Sequence, residues 1–147
     1  RRGGRRGLVP MKQVLIDTTD CSALMAGDGR IVDELARNET ILLSPVVIAE
    51  LHDGFPGGTR NQENRAILAR FREKPRTICV SITDSTAEWF AEIKRILGKK
   101  GKPIPINDVW IAASCMEHGA RLMSLDAHFA KIDGLLRWEP ENNSSIL

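Results

Sequence analysis

The sequence predicts an α/β domain, a mainly parallel sheet of four to five strands with helices on both faces. Three observations carry that prediction. Short apolar runs alternate with longer segments of helical period, the pattern of strands joined by crossover helices. The runs are apolar throughout rather than at every second residue, as strands buried on both faces require. Helix start and stop signals fall where the apolar runs end. At 147 residues the chain has the length of one domain, enough to bury a core without disulfide staples.

The elements follow in order. "QVLID", residues 13–17, is the first strand and ends on Asp17. Residues 20–26 and 30–37 read as short helices, broken around Gly27-Asp28-Gly29. "TILLS", 40–44, is the second strand. Ser44-Pro45 then starts a helix, with the hydroxyl as N-cap and proline at the first helical position. That helix is "PVVIAELHDG", and Gly54 suits its end. "FPGGTR" is a loop, and "NQENRAILARFRE", 61–73, an amphipathic helix. "RTICVSI", 76–82, is the third strand. Ser85 with Glu88 fits a capping box, opening a helix to about Leu97. "GKKGKPIPI" is a loop leading into "NDVWIAASCMEHG", a helix that Gly119 stops. "RLMSL", 121–125, is the fourth strand, followed by Asp126. "AHFAKI" is a helical turn and "GLLRW", 134–138, a candidate fifth strand.

The net charge is +2, yet the first ten residues hold four arginines and no acid. Without them the balance turns slightly negative, so overall charge gives no argument for a nucleic-acid partner. Residues 1–10 are expected to be a leader or basic arm, residues 11–139 the folded domain, and 140–147 a flexible tail. Cys21, Cys79 and Cys115 are widely spaced, with no CxxC pair, as for buried reduced thiols. No apolar run approaches the roughly 18 residues of a membrane span. The chain reads as soluble and cytoplasmic.

Four acids stand where a solvated charge is not expected. Asp17 and Asp126 end apolar strands, Glu50 lies in "VVIAEL", and Asp108 opens "VWIAA". Each alone has a structural explanation. Asp17 and Asp126 can cap following helices, Asp108 can sit on the positive end of its own helix, and Glu50 can pair with an arginine. Asn107 is placed to orient Asp108. Together the four say more, because sites in open α/β sheets form beyond the carboxyl ends of the strands. Two like charges about 4 Å apart repel by roughly 4 kcal/mol at an effective dielectric near 20, and a divalent cation removes that repulsion. Oxygen ligands select Mg²⁺ or Mn²⁺. His52, His118 and His128 lack a paired ligand spacing, so zinc is not expected.

The run "VLIDTTDCSAL…SPVVIAELHDGFPGGTRNQENRAILARF…PINDVWIAASCMEHGARLMSLDAHFAKIDGL" resembles the PIN-domain nucleases, and among them the VapC toxins of bacterial type II toxin–antitoxin systems. The resemblance spans about residues 12–138 and implies the three-layer PIN-like α/β/α fold. It matches Asp17, Glu50, Asp108 and Asp126 to the family's four acids. Thr18 and Ser124 match supporting positions, and Gly54, Arg60 and Asn64 match the "G…R…N" stretch after the second acid. The implied reaction is Mg²⁺-dependent hydrolysis of phosphodiester bonds in structured RNA such as transfer or ribosomal RNA, with Mn²⁺ as a substitute ion. Asp17 and Asp108 would be the main ligands, with Glu50 at a second metal or on the attacking water and Asp126 completing the pocket. The resemblance also implies a VapB-like antitoxin over the site and a homodimer built from helices on either side of the third strand.

An acidic pocket cannot itself attract RNA, so basic residues must hold the backbone. Candidates are Arg60 and Arg65, with Arg70, Arg72, Lys74 and Arg76 on or near the same helix, and the loop residues Lys99, Lys100 and Lys102. The chain has no tyrosine and few aromatics, which points to recognition by shape and backbone rather than base stacking. One departure from the family is Thr19, where asparagine is common two residues after the first acid. It leaves open a catalytically weak module that binds RNA or a partner without cutting. A PIN nuclease of RNA maturation is a further alternative. A metal-dependent phosphatase is disfavoured, because "DTTD" lacks a second aspartate two residues after the first.

Overall fold

The computed structural model describes residues 12–138. The leader expected over residues 1–10 and the tail over 140–147 lie outside them. Four strands, β1 (Gln13–Ile16), β2 (Thr40–Leu43), β3 (Thr77–Cys79) and β4 (Arg121–Met123), form one sheet in the order β3-β2-β1-β4. All three pairings are parallel. The helices are α1 (Thr18–Met25), α2 (Gly29–Ala36), α3 (Pro45–Gly54), α4 (Thr59–Arg72), α5 (Asp84–Lys100) and α6 (Ile106–His118), and a 3-10 helix follows over Ala127–Lys131.

Parallel strands need long crossovers, and the helices supply them. The first two crossovers step outward from β1 through β2 to β3, and the third returns across the sheet to β4. Right-handed crossovers running in opposite directions lie on opposite faces. The packing agrees: α1 touches α2, α3 and α4, whereas α5 and α6 pack mainly on each other. Burial is therefore continuous along the central strands, with Val14, Leu15, Ile16, Ile41, Leu42 and Leu43 all in the core. From α6, Val109, Ile111, Ala112, Ala113 and Cys115 join them. Trp110 turns the other way and stacks on Phe90 of α5, ring centroids 4.1 Å apart.

The ends of the elements follow local chemistry. Ser44 Oγ accepts from the Val46 amide at 3.1 Å, and Pro45 occupies the first helical position of α3. Gly119 ends α6 at φ +61°, a left-handed position that glycine reaches without a Cβ penalty.

Several expectations are corrected. The third strand stops at Cys79, because its neighbour β2 ends at Leu43 where α3 begins. The expected fifth strand is a single bridge between Arg137 and Leu122 beside β4. The capping box on α5 is Thr83 with Thr86, not Ser85 with Glu88. Both threonine hydroxyls also donate to Glu117 at the far end of α6, which places the cap where two helices meet. α5 runs three residues further than expected, to Lys100. Among the cysteines, Cys21 and Cys115 are buried and Cys79 is exposed, and all three are free thiols. No helix of the described residues is long and apolar enough to cross a membrane.

Ser44 is fully buried, and its hydroxyl serves an amide that nothing else satisfies at the start of α3. Ser44→Ala is expected to lower unfolding free energy by about 1 kcal/mol. Urea denaturation should show the midpoint falling at unchanged slope.

Candidate active site

The chain's path reverses at β1, which has β2 on one side and β4 on the other. The crevice beyond the carboxyl ends of β1 and β4 is thus the switch point of the sheet. Asp17 follows β1 and Ser124 follows β4, and the backbone joins them: the Asp17 amide donates to the Met123 carbonyl at 3.0 Å. Asp17 then caps α1, its Oδ1 accepting from the Thr18 amide at 2.8 Å. Its Oδ2 accepts from Ser124 Oγ at 2.7 Å. The Ser124 oxygen also accepts from the Asp126 amide at 3.1 Å, so one hydroxyl positions two acids.

Asp108 arrives from the first turn of α6, where the helix's positive end favours its ionised form. Asp126 caps the 3-10 helix through Oδ1, which accepts from the His128 amide at 2.9 Å. Glu50 projects from α3, and its Oε1 accepts from Thr18 Oγ1 at 2.8 Å. Contact between α3 and α6 brings its helix to that of Asp108.

The electrostatics are those of crowded carboxylates. Burial pushes the Asp17 carboxyl above its ordinary value, against the lowering effect of Ser124 and Thr18, and the charge of Asp126 adds to the rise. Asp108 is raised chiefly by burial and further by Asp17 and Asp126, against the hydrogen bond from His128. These are hard oxygen donors with unrelieved negative charge, a set that suits a small divalent cation.

Two residues of the site escaped the sequence reading. His128 was passed over for want of a paired histidine, but its Nδ1 lies 3.0 Å from Asp108 Oδ2 and 3.1 Å from Asp126 Oδ1. A signal was present, since residue 128 stands two places after a strand-end acid. Asp20 read as part of a short helix, yet it is 4% exposed and its Oδ2 has no partner. Burial first, then the charges of Asp17 and Asp28, push its carboxyl up to about 6, with Arg30 opposing.

Other expected residues stand apart. Asn107 is exposed in the first turn of α6, and its side chain makes no hydrogen bond to Asp108 among the described residues. Arg60 and Arg65 are exposed on α4, Arg65 and Arg72 lining a groove shared with His52, two residues beyond Glu50. Lys99 and Lys100 end α5, and the short link over residues 101–105 carries that end to the start of α6. Lys100 pairs with Asp133. Thr19 is exposed and its side chain makes no hydrogen bond among the described residues.

Asp20 has a consequence for stability. Unfolded, it ionises near 3.8; folded, near 6. Between those pH values the folded state holds more protons, so stability falls as pH rises from about 4 to about 6 and stays lowered above. In metal-free protein, Asp20→Asn should raise unfolding free energy at pH 7.5 by the order of 1 kcal/mol. The gain should shrink towards pH 4 in thermal melts. A pH-independent difference would count against this account.

The chain matches the PIN domain family over residues 14–135. It is 27% identical to Ribonuclease VapC5 of Mycobacterium tuberculosis over 116 residues, 78% of this chain and 86% of that protein. It is 29% identical to Ribonuclease VapC2 of Rickettsia felis over 106 residues, 69% of this chain and 75% of that protein. The fold superposes on a chain in the crystal structure of VapBC2 from Rickettsia felis, bound to a DNA fragment from its promoter. The TM-score is 0.76 at 24% identity, covering 86% of this chain and 97% of that one. With its four-stranded parallel sheet and the acids at its switch point, the chain belongs to the PIN-domain family.

Proposed function

We propose that this chain is a Mg²⁺-dependent endoribonuclease and the toxin of a type II toxin–antitoxin pair. The observation that carries the reading is the gathering of Asp17, Asp108 and Asp126 beyond β1 and β4, where burial and neighbouring negative charge oppose the ionisation of Asp17 and Asp108. That arrangement is costly in an empty pocket and favourable around a divalent cation. The relatives named ribonuclease VapC and the fold shared with a VapBC complex support it.

Asp17 and Asp108 would hold the ion, Mg²⁺ or Mn²⁺ in its place, with Asp126 completing the pocket. When bound, the ion lowers the pKa of a coordinated water and offsets the charge that builds on the phosphate. The protein's part is placement. Ser124 fixes the Asp17 carboxylate, and Thr18 fixes Glu50 through one oxygen. The other Glu50 oxygen is left to orient the attacking water or accept its proton. No serine or cysteine nucleophile is required.

The substrate is structured RNA, of the transfer or ribosomal kind, held by its backbone. Arg60, Arg65 and Lys99 are exposed for that purpose, and Lys100 is available to the extent that it leaves Asp133. A VapB-like antitoxin covers the acidic crevice, and the toxin pairs as a homodimer.

The purified chain should cleave structured RNA with Mg²⁺ or Mn²⁺ and lose that activity to a chelator. Asp108→Asn should lower the cleavage rate by about 100-fold or more, with the circular dichroism spectrum unchanged. A variant that cuts as fast as the parent would remove Asp108 from the site. In cells, the chain expressed alone should arrest growth, and co-expression with its cognate antitoxin should relieve the arrest.

A further inference from the structure

We propose that His128 Nδ1 is a direct ligand of the metal that Asp108 would hold, beside Asp126, and that this nitrogen makes the site prefer Mn²⁺ to Mg²⁺. The proposal rests on the metal-dependent reading above. It begins from which donors converge. Asp108, Asp126 and His128 each bring one ligand atom to within 4.8 Å of the other two. Asp17 and Glu50 stand outside that trio. Asp17 Oδ1 and Oδ2 each accept one hydrogen bond, from Thr18 and Ser124, and Glu50 Oε1 accepts one from Thr18, which fixes their directions and leaves lone pairs free. Among the described residues the converging donor set thus includes an imidazole beside two carboxylates.

Its spacing suits one ion. Donors about 2.1 Å from a shared octahedral cation lie about 3.0 Å apart along each edge. His128 Nδ1 stands 3.0 Å from Asp108 Oδ2 and 3.1 Å from Asp126 Oδ1. The backbone at His128 is fixed beside the same acid, since its amide donates to Asp126 Oδ1 at the start of the 3-10 helix. The ring Nε2 makes no hydrogen bond among the described residues, and the side chain is 42% exposed, so Nε2 can carry the ring proton and leave the Nδ1 lone pair for an ion. Imidazole nitrogen favours transition-metal ions, whereas Mg²⁺ prefers oxygen and parts reluctantly from its waters. A mixed site shifts preference from Mg²⁺ towards Mn²⁺.

The experiment measures binding, with the full chain and each ion alone. Calorimetry gives the Mn²⁺ and Mg²⁺ affinities, and pulsed electron paramagnetic resonance of bound Mn²⁺ reports any directly bonded ¹⁴N. The parent should show nitrogen coupling. His128→Ala should abolish the coupling and reduce the Mn²⁺-over-Mg²⁺ preference by about tenfold or more. His128→Asn can still hydrogen-bond the acids but offers no imidazole nitrogen, so it should behave like the alanine variant. Bound Mn²⁺ without nitrogen coupling in the parent, or a preference retained in His128→Asn, overturns the proposal and leaves the nuclease reading intact. A parent chain that binds neither ion overturns both.

Discussion

The hydrogen bond from Ser124 to Asp17 is the contact on which the site depends. It joins residues 107 apart in sequence, and both partners are buried. Its geometry is possible only because β1 and β4 are neighbours in register, with Ile16 opposite Met123. A charged carboxylate at this depth is tolerable when strong donors meet it, and Asp17 has two, a hydroxyl and a helix-start amide. The same serine oxygen accepts from the Asp126 amide, so placing one acid places another. Strand pairing is thereby converted into the spacing of the candidate site's carboxylates, without a flexible loop intervening.

The helices impose the second constraint. Asp17 and Asp126 are both N-caps, and Asp108 lies in a first helical turn. Asp17 and Asp108 thus each face the positive end of a helix, which favours the ionised form against burial and neighbouring charge. Burial nevertheless dominates at Asp17 and Asp108, whose carboxyls remain raised. The capping reading and the ligand reading are therefore complementary. Capping fixes each carboxylate's direction, and incomplete compensation of the charge leaves the negative potential that the proposed cation would relieve.

Much of this was legible in the sequence because it depends on local patterns. Uniformly apolar runs marked β1, β2 and β4, Ser44-Pro45 marked the start of α3, and Gly119 the end of α6. The position of Asp17 directly after β1 was visible for the same reason, whereas Asp126, expected to end a strand over 121–125, stands three residues past β4, which stops at Met123. What failed to show was decided by tertiary neighbours. The third strand is short because β2 gives it only three partners. The α5 cap moved to Thr83 because Glu117, 34 residues away, meets its hydroxyl. His128 carries no motif of its own, and its importance comes from α6 bringing Asp108 to it. Asp20 looked like a helix residue because nothing in "TTDCS" discloses that the third turn position of α1 is enclosed.

Asp20 also shows that the pocket's charge exceeds what local capping can explain. It occupies the N3 position of α1, where an acid commonly reaches back to the N-cap amide. Here the Asp17 amide is already committed to the Met123 carbonyl in the sheet. Asp20 is left buried, with one oxygen unpartnered and the Asp17 charge beside it. Strand pairing has taken the donor that would have satisfied the helix. The result is a fold that keeps a buried acid under repulsion next to its site, a stability cost that any cation in the crevice reduces by neutralising Asp17. Because an ion binding only the folded state also stabilises it by mass action, metal binding of the proposed kind would couple affinity at this switch point to fold stability.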